Sequence, residues 1–159
     1  MDRAYIHSDL GYWILESNGE KLQSIGFSKT KPSFDEAEDP LLAEAKKQLT
    51  EYFDGKRTSF SIPLNTQEHS IFYQKVWNIL QKIPYGKTCS YSDIANELGD
   101  INAVRAVGMA NGRNPFPIVI PCHRVIGKNK ELTGYAYGID LKRKLLEKEG
   151  ALAIQGSLF

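Results

Sequence analysis

The sequence predicts an α/β chain: a small N-terminal antiparallel β-sheet unit with one helix, then a mainly helical C-terminal domain holding a helix-turn-helix and an unusually placed cysteine. Three observations predict it. Short β-type runs flank Asn18-Gly19 near the start, as in a hairpin. Beyond residue 69, apolar residues recur at helical spacing in separate stretches. Between those stretches the Pro-punctuated segment "NPFPIVIPCHRVIG", Asn114 to Gly127, sets Cys122 directly before His123 and Arg124.

The elements follow in order. "AYIHS" reads as a first strand, and "GYWILES" and "KLQSIGFS" as the arms of the hairpin, with Asn18-Gly19 supplying the positive φ angles of a tight turn. "SKTKPSFDEAED" is polar and Pro-containing, hence a loop. Asp39-Pro40 starts a helix, Asp as N-cap and Pro at the first helical position. Leu41, Leu42, Ala45, Leu49, Tyr52 and Phe53 mark its buried face, and "DGKRTSFSIPLN" returns a strand to the sheet. The domain boundary is expected near residue 70, giving domains 1–70 and 71–159.

In the second domain, Phe72, Val76, Ile79, Leu80 and Ile83 follow helical spacing until Pro84 and Gly86 break it. A short helix from Tyr91 to Leu98, with Ser90 as cap and Gly99 as stop, precedes another from Ala103 to about Ala110. The pair, joined by a tight turn, forms a helix-turn-helix. The last helix begins at Asp140, turns Leu141, Leu145 and Leu146 inward, and stops at Gly150.

Composition narrows the function classes. With 159 residues, 42% apolar and 25% charged, the chain is an ordinary globular one. No run approaches the roughly 18 apolar residues of a membrane span. "MDRAYIHSDLGYW" lacks a signal-peptide layout, so a cytoplasmic monomer is expected. Cys89 and Cys122 belong to no metal-ligand spacing and only three histidines exist, so no metal and no cofactor are expected and both thiols should be free. Residues 1–74 hold 8 Lys/Arg against 12 Asp/Glu, a balance of −4; residues 75–159 hold 12 against 7, a balance of +5. That asymmetry points the second half toward an anionic partner.

A cysteine attacks as the thiolate, so its neighbours must favour loss of the proton. His123 and Arg124 place proton-accepting or positive groups beside Cys122, but adjacent residues of a strand face opposite ways. Direct pairing therefore needs a chain turn at the cysteine, which Pro121 permits, or a water between the side chains. A third group should orient the imidazole. Among Asp93, Glu97, Asp100, Glu131, Asp140, Glu147 and Glu149, the last lies at a helix end close to the apolar face. Spacing leaves open whether Glu149 turns inward or stays in water. Residue chemistry alone also leaves the reaction open, since a cysteine hydrolase could use the same set.

"IPYGKTCSYSDIANELG", "AVRAVGMANGRNPFPIVIPCHRVIG" and "LTGYAYGIDLKRKLLEKEG" together resemble the methylated-DNA–protein-cysteine methyltransferases, also called O6-alkylguanine-DNA alkyltransferases, in that family's order and spacing. The resemblance spans about Tyr73 to Gly150. It implies single-turnover, suicidal transfer of an alkyl group from O6-alkylguanine in double-stranded DNA to Cys122. His123 would act as base through a bridging water, oriented by Glu149, with Asn114 bracing the turn. Tyr91 would contact phosphate and help protonate the departing guanine. Arg105 would enter the duplex from the minor groove and fill the place of the flipped base, with Ala106 and Gly108 permitting close approach. Ser92 and Lys128 match further DNA-contact positions, and Tyr135 and Val125 match walls of the guanine pocket. Asn111 stands where some relatives carry a larger apolar pocket residue. The alternative is a non-catalytic damage-binding relative, in which the cysteine is replaced.

Overall fold

The computed structural model describes residues 1–152. Three strands, β1 (Asp2–Ser8), β2 (Gly11–Ser17) and β3 (Leu22–Ser28), form an antiparallel sheet in that order. Ala4 pairs with Leu15 and Ile6 with Trp13 across β1–β2, and Leu15 faces Ile25 across β2–β3. Alternation therefore sends Ala4, Ile6, Trp13, Leu15 and Ile25 to one buried face. Helix α1 (Pro40–Phe53) packs across β1 and β2 through Leu42, Ala45, Leu49 and Tyr52, while Leu41 and Phe53 are only half-buried. Asp39 caps it by accepting from the Leu41 and Leu42 amides, as the Asp-Pro pair required.

Two expectations fail here. The β2–β3 connection is longer than a two-residue turn: Gly19 alone takes a positive φ, +93°, and Asn18 instead uses its side chain, Oδ1 accepting from the amides of Glu20 at 2.9 Å and Lys21 at 2.8 Å. Asn offers that local bond as readily as the left-handed conformation. Nor does the 59–64 segment form a strand. It meets β3 only at an isolated Leu22–Leu64 bridge, where Leu22 donates to the Pro63 carbonyl, because Pro63 has no N–H with which to extend a ladder. The buried Gln48 supplies the missing partner, accepting from the Ser61 amide at 2.9 Å.

The chain divides into two compact units, Met1–Glu68 and the part from His69 on. In the second, α2 (Ile71–Leu80) buries Val76, Trp77 and Leu80, while Phe72 and Ile79 are half-buried. β4 (Cys89–Ser90) leads into α3 (Tyr91–Glu97), whose Ser90 cap and Asp93 side chain satisfy each other's amides in a capping box. Gly99, at φ +80°, turns the chain through a 3₁₀ turn (Ile101–Ala103) into α4 (Val104–Gly112). The α3–α4 pair is the expected helix-turn-helix, and α2 packs against both. β5 (Val125–Ile126) pairs in parallel with β4, Cys89 opposite Val125. α5 (Ile139–Lys148) buries Leu141, Lys142, Leu145 and Leu146 and ends at Gly150, φ +75°. Among the described residues no helix is long and apolar enough to cross a membrane.

Candidate active site

The site is built on the loop between α4 and β5. Asn114 is buried and folds that loop around its amide: Oδ1 accepts from the Phe116 amide at 2.9 Å and Nδ2 donates to the Ile120 carbonyl at 2.7 Å. Between those anchors Ile118 sits at φ +74° with 1% exposure. A β-branched residue in that region is strained by about 1–3 kcal/mol, and the packing of Phe116, Ile118 and Ile120 holds it there. After Pro121 the chain makes a 3₁₀ turn, Cys122–Arg124. This is the chain turn at the cysteine that separates Cys122 and His123 onto different bearings without opposing them as a strand would.

Cys122 is 5% exposed, and burial pushes its thiol up to about 11. Working the other way are a hydrogen bond from the Asn114 side chain, the charge of Lys142 and the amides of Cys122 and His123. The thiol therefore keeps its proton at neutral pH, and an attack must remove it as it proceeds. His123 is fully buried, and its Nε2 lies 2.7 Å from Glu149 Oε2. An ionised carboxylate only accepts, so in the neutral ring Nε2 carries the hydrogen and Nδ1 holds a bare lone pair. Nδ1 has no hydrogen-bond partner among the described residues. Burial lowers the His123 pKa despite the opposing pull of Glu149, keeping the ring neutral and able to accept a proton.

Glu149 is turned inward, 5% exposed. Beyond His123 it receives Arg124 Nε at 2.8 Å and Nη2 at 3.1 Å, while Arg124 Nη1 donates to the Ile83 carbonyl at 2.7 Å. Burial alone would raise its pKa; the His123 ring and the Arg124 guanidinium reverse that and hold it at about 2. Gly86 explains the break after α2: its φ is +79°, and a Cβ there would stand 3.1 Å from the Glu149 carbonyl oxygen.

A second cluster lies around Thr133. Tyr91, first residue of α3, donates its hydroxyl to the Thr133 carbonyl at 3.1 Å. Lys142, 0% exposed, donates to the same carbonyl at 2.8 Å and to Gly134 at 3.3 Å, and burial lowers its pKa to about 8. Tyr135 and Tyr137 stack edge to face at 5.8 Å, and the Tyr135 hydroxyl is buried without a partner among the described residues. Burial, then the negative charge of a Cys122 thiolate, raises both phenols, which places both rings within electrostatic reach of the sulfur.

Cys122, His123, Glu149 and Asn114 thus come together, with Tyr91 and Tyr135 in reach of the sulfur's charge. Val125 is wholly buried next to the 3₁₀ turn. Asn111, also buried, approaches the Cys122 carbonyl at 3.4 Å. Arg105 and Ala106 lie on the exposed side of α4, with Gly108 half-buried. Ser92 and Lys128 line a groove of about 430 Å³ shared with Ser90, Asn96 and Ile126. Sequence reasoning gave no place to Lys142 or Tyr137 and did not pair Arg124 with Glu149. For Lys142 the signal was there: it stands four residues before Leu146, on the apolar stripe of α5.

Each part of the chain matches a family model: residues 1–66 the "6-O-methylguanine DNA methyltransferase, ribonuclease-like domain" and residues 71–151 the "6-O-methylguanine DNA methyltransferase, DNA binding domain". The constitutive methylated-DNA–protein-cysteine methyltransferase of Bacillus subtilis is 55% identical over 112 residues, 70% of this chain and 67% of that protein. The methylated-DNA–protein-cysteine methyltransferase of Methanosarcina acetivorans is 42% identical over 153 residues, covering 93% of this chain and 97% of its own. The crystal structure of Mycobacterium tuberculosis OGT in complex with DNA superimposes with a TM-score of 0.85 at 40% identity, covering 95% of this chain and 94% of that one. The likeness runs through both units and through nearly the whole length of the Methanosarcina and Mycobacterium relatives, and the chain belongs to the 6-O-methylguanine DNA methyltransferase family.

Proposed function

We propose that this chain is a DNA repair protein that takes the alkyl group from O6-alkylguanine in duplex DNA onto Sγ of its own Cys122, once per molecule. The observation that carries the reading is the buried thiol on the same turn as an imidazole whose one nitrogen is tied to Glu149 and whose other is bare. Relatives named for this reaction, and one solved with DNA, support it.

His123 Nδ1 accepts the Cys122 proton through one bridging water, and Glu149 stabilises the imidazolium that forms. The sulfur forms its bond to the alkyl carbon as the carbon–O6 bond breaks, and its electron pair leaves with guanine. Tyr91, which burial keeps protonated, donates toward the departing base. Asn114 holds the sulfur's loop, and Tyr135 and Val125 wall the pocket. Arg105 occupies the place of the extruded nucleotide, offsetting part of the unstacking cost. Ala106 and Gly108 let the helix approach, and Ser92 and Lys128 take phosphates along their groove. The product is a thioether, which has no good leaving group, so no second cycle follows. The two units serve as two domains, the transfer chemistry lying in the second, and a reducing cytoplasm suits free thiols.

Intact-protein mass spectrometry after incubation with a duplex containing O6-methylguanine tests this. One methylene per protein, mapped to the Cys122 peptide and saturating there, is expected. Repeated turnover, or binding to the lesion with no mass gain, would sink the reading, the latter in favour of a damage-binding protein.

A further inference from the structure

α4 turns Arg105, Ala106, Met109 and Gly112 outward, with Arg113 exposed at its C-cap, while Val107, Ala110 and Asn111 are buried. Met109 is 55% exposed, one of the few large apolar side chains so placed. Residues four apart share a helix face, so Met109 stands between Arg105 and Arg113 on one line. α4 itself carries no acidic residue, and neither arginine makes an ion pair among the described residues. An apolar side chain held between two uncompensated cations suits a polyanion that also offers apolar surface.

A helix with its side chains is about 10–12 Å across, whereas the minor groove is about 6 Å wide. Ala106, Gly108 and Gly112 slim this face of α4; Met109 does not. Proteins that enter the minor groove combine arginines with an apolar wedge, which unstacks a step and bends the duplex. Methionine, unbranched and flexible, fits an irregular gap of that kind.

We propose that Met109 is such a wedge: about 6 Å along α4 from Arg105, it presses into the groove beside the extruded nucleotide and holds the duplex bent away from the protein. The proposal rests on the duplex-repair reading above and adds the side chain that deforms the DNA. Bending and extrusion then become one event, because Arg105 and Met109 are fixed on the same turns of one helix.

The test compares wild type, Met109→Ala and Met109→Leu. Alkyl transfer is timed on an O6-methylguanine duplex, on the same lesion in a single strand and on free O6-benzylguanine. The bend is read separately, by energy transfer between dyes at the duplex ends. Met109→Ala should react about tenfold more slowly on the duplex, the scale of one lost groove contact, and bend it less, with the single strand and the free base unaffected; Met109→Leu should restore both. An unchanged bend overturns the wedge, as does a loss shared by all substrates. The bend needs no chemistry, so a wild type that bent DNA without transferring alkyl would sink the repair reading and still decide the role of Met109.

Discussion

Two cysteines of the same type and nearly the same raised pKa, about 11, meet opposite ends at the residue scale. Cys89 is half-buried on β4, where Asp93 adds to the effect of burial in keeping its proton on. Cys122 has the bare nitrogen of His123 on its own turn, so its proton has somewhere to go. Cys122→Ala should abolish methyl transfer and leave the gel shift on damaged duplex in place, while Cys89→Ala should transfer at the wild-type rate; equal loss in both would move the nucleophile. Ile118 gives a second test at this scale. Ile118→Gly and Ile120→Gly each delete a buried isoleucine, but only the first relieves a positive φ. In urea melts Ile118→Gly should be the less damaging, by about 1–2 kcal/mol. The sequence made Cys122 and His123 legible because they are adjacent within a distinctive run. Lys142 was legible only through its place on the apolar stripe of α5; its partners were not, being backbone carbonyls, which any residue can supply.

Elements were easiest to read where side chains announce them. Asp39-Pro40 and Ser90 stand at the helix starts because their oxygens satisfy first-turn amides that nothing else would. The failures share a cause, since Asn18 and the segment around Pro63 each had more than one way to pair the backbone: Asn18 took amides two and three residues on, and the Pro63 segment took partners far along the chain. The far end of α4 is held in a similar non-local way. Trp77 donates its indole N–H to the Ala110 carbonyl at 2.8 Å, both buried, in the last turn before the Asn114 loop. Trp77→Phe leaves that carbonyl only the longer bond from the Arg113 amide, at 3.3 Å, and should cost about 1 kcal/mol. Amide exchange should quicken around residues 110–114 first, and an effect confined to α2 would show that the indole does not anchor α4.

Across the whole molecule, acid stability follows from the buried pair. His123 and Glu149 both have folded pKa values below their unfolded ones. The unfolded chain therefore takes up more protons as pH falls, and the stability these groups contribute is complete above their unfolded pKa values. The His123 share should fade below about pH 6.5 and the Glu149 share between about pH 4.3 and 2. A melting series should show Tm dropping through both windows, and in Glu149→Gln the lower window should flatten while the neutral-pH Tm falls. A wild-type Tm flat from pH 7 to 3 would contradict the arrangement. The positive balance of the second half was readable from composition, but which cations meet in the interior was not: Arg124 and Lys142 spend their charge inside the fold, and Arg105, Arg113 and Lys128 keep theirs on the surface.

The 5% exposure of Cys122 carries one more consequence. A methyl group taken up there is not worn on the outside; it is added to a closely packed interior, where one extra carbon costs about 1–3 kcal/mol. A copy that has acted should melt lower and be cut sooner by a protease than an unused one, since cleavage follows the population of opened molecules. Limited proteolysis of the methylated and fresh protein side by side should show it, and equal lifetimes would refute it. Spent and fresh copies would then be told apart in the cell with no added tag, the carbon lifted from the lesion being itself the mark for disposal.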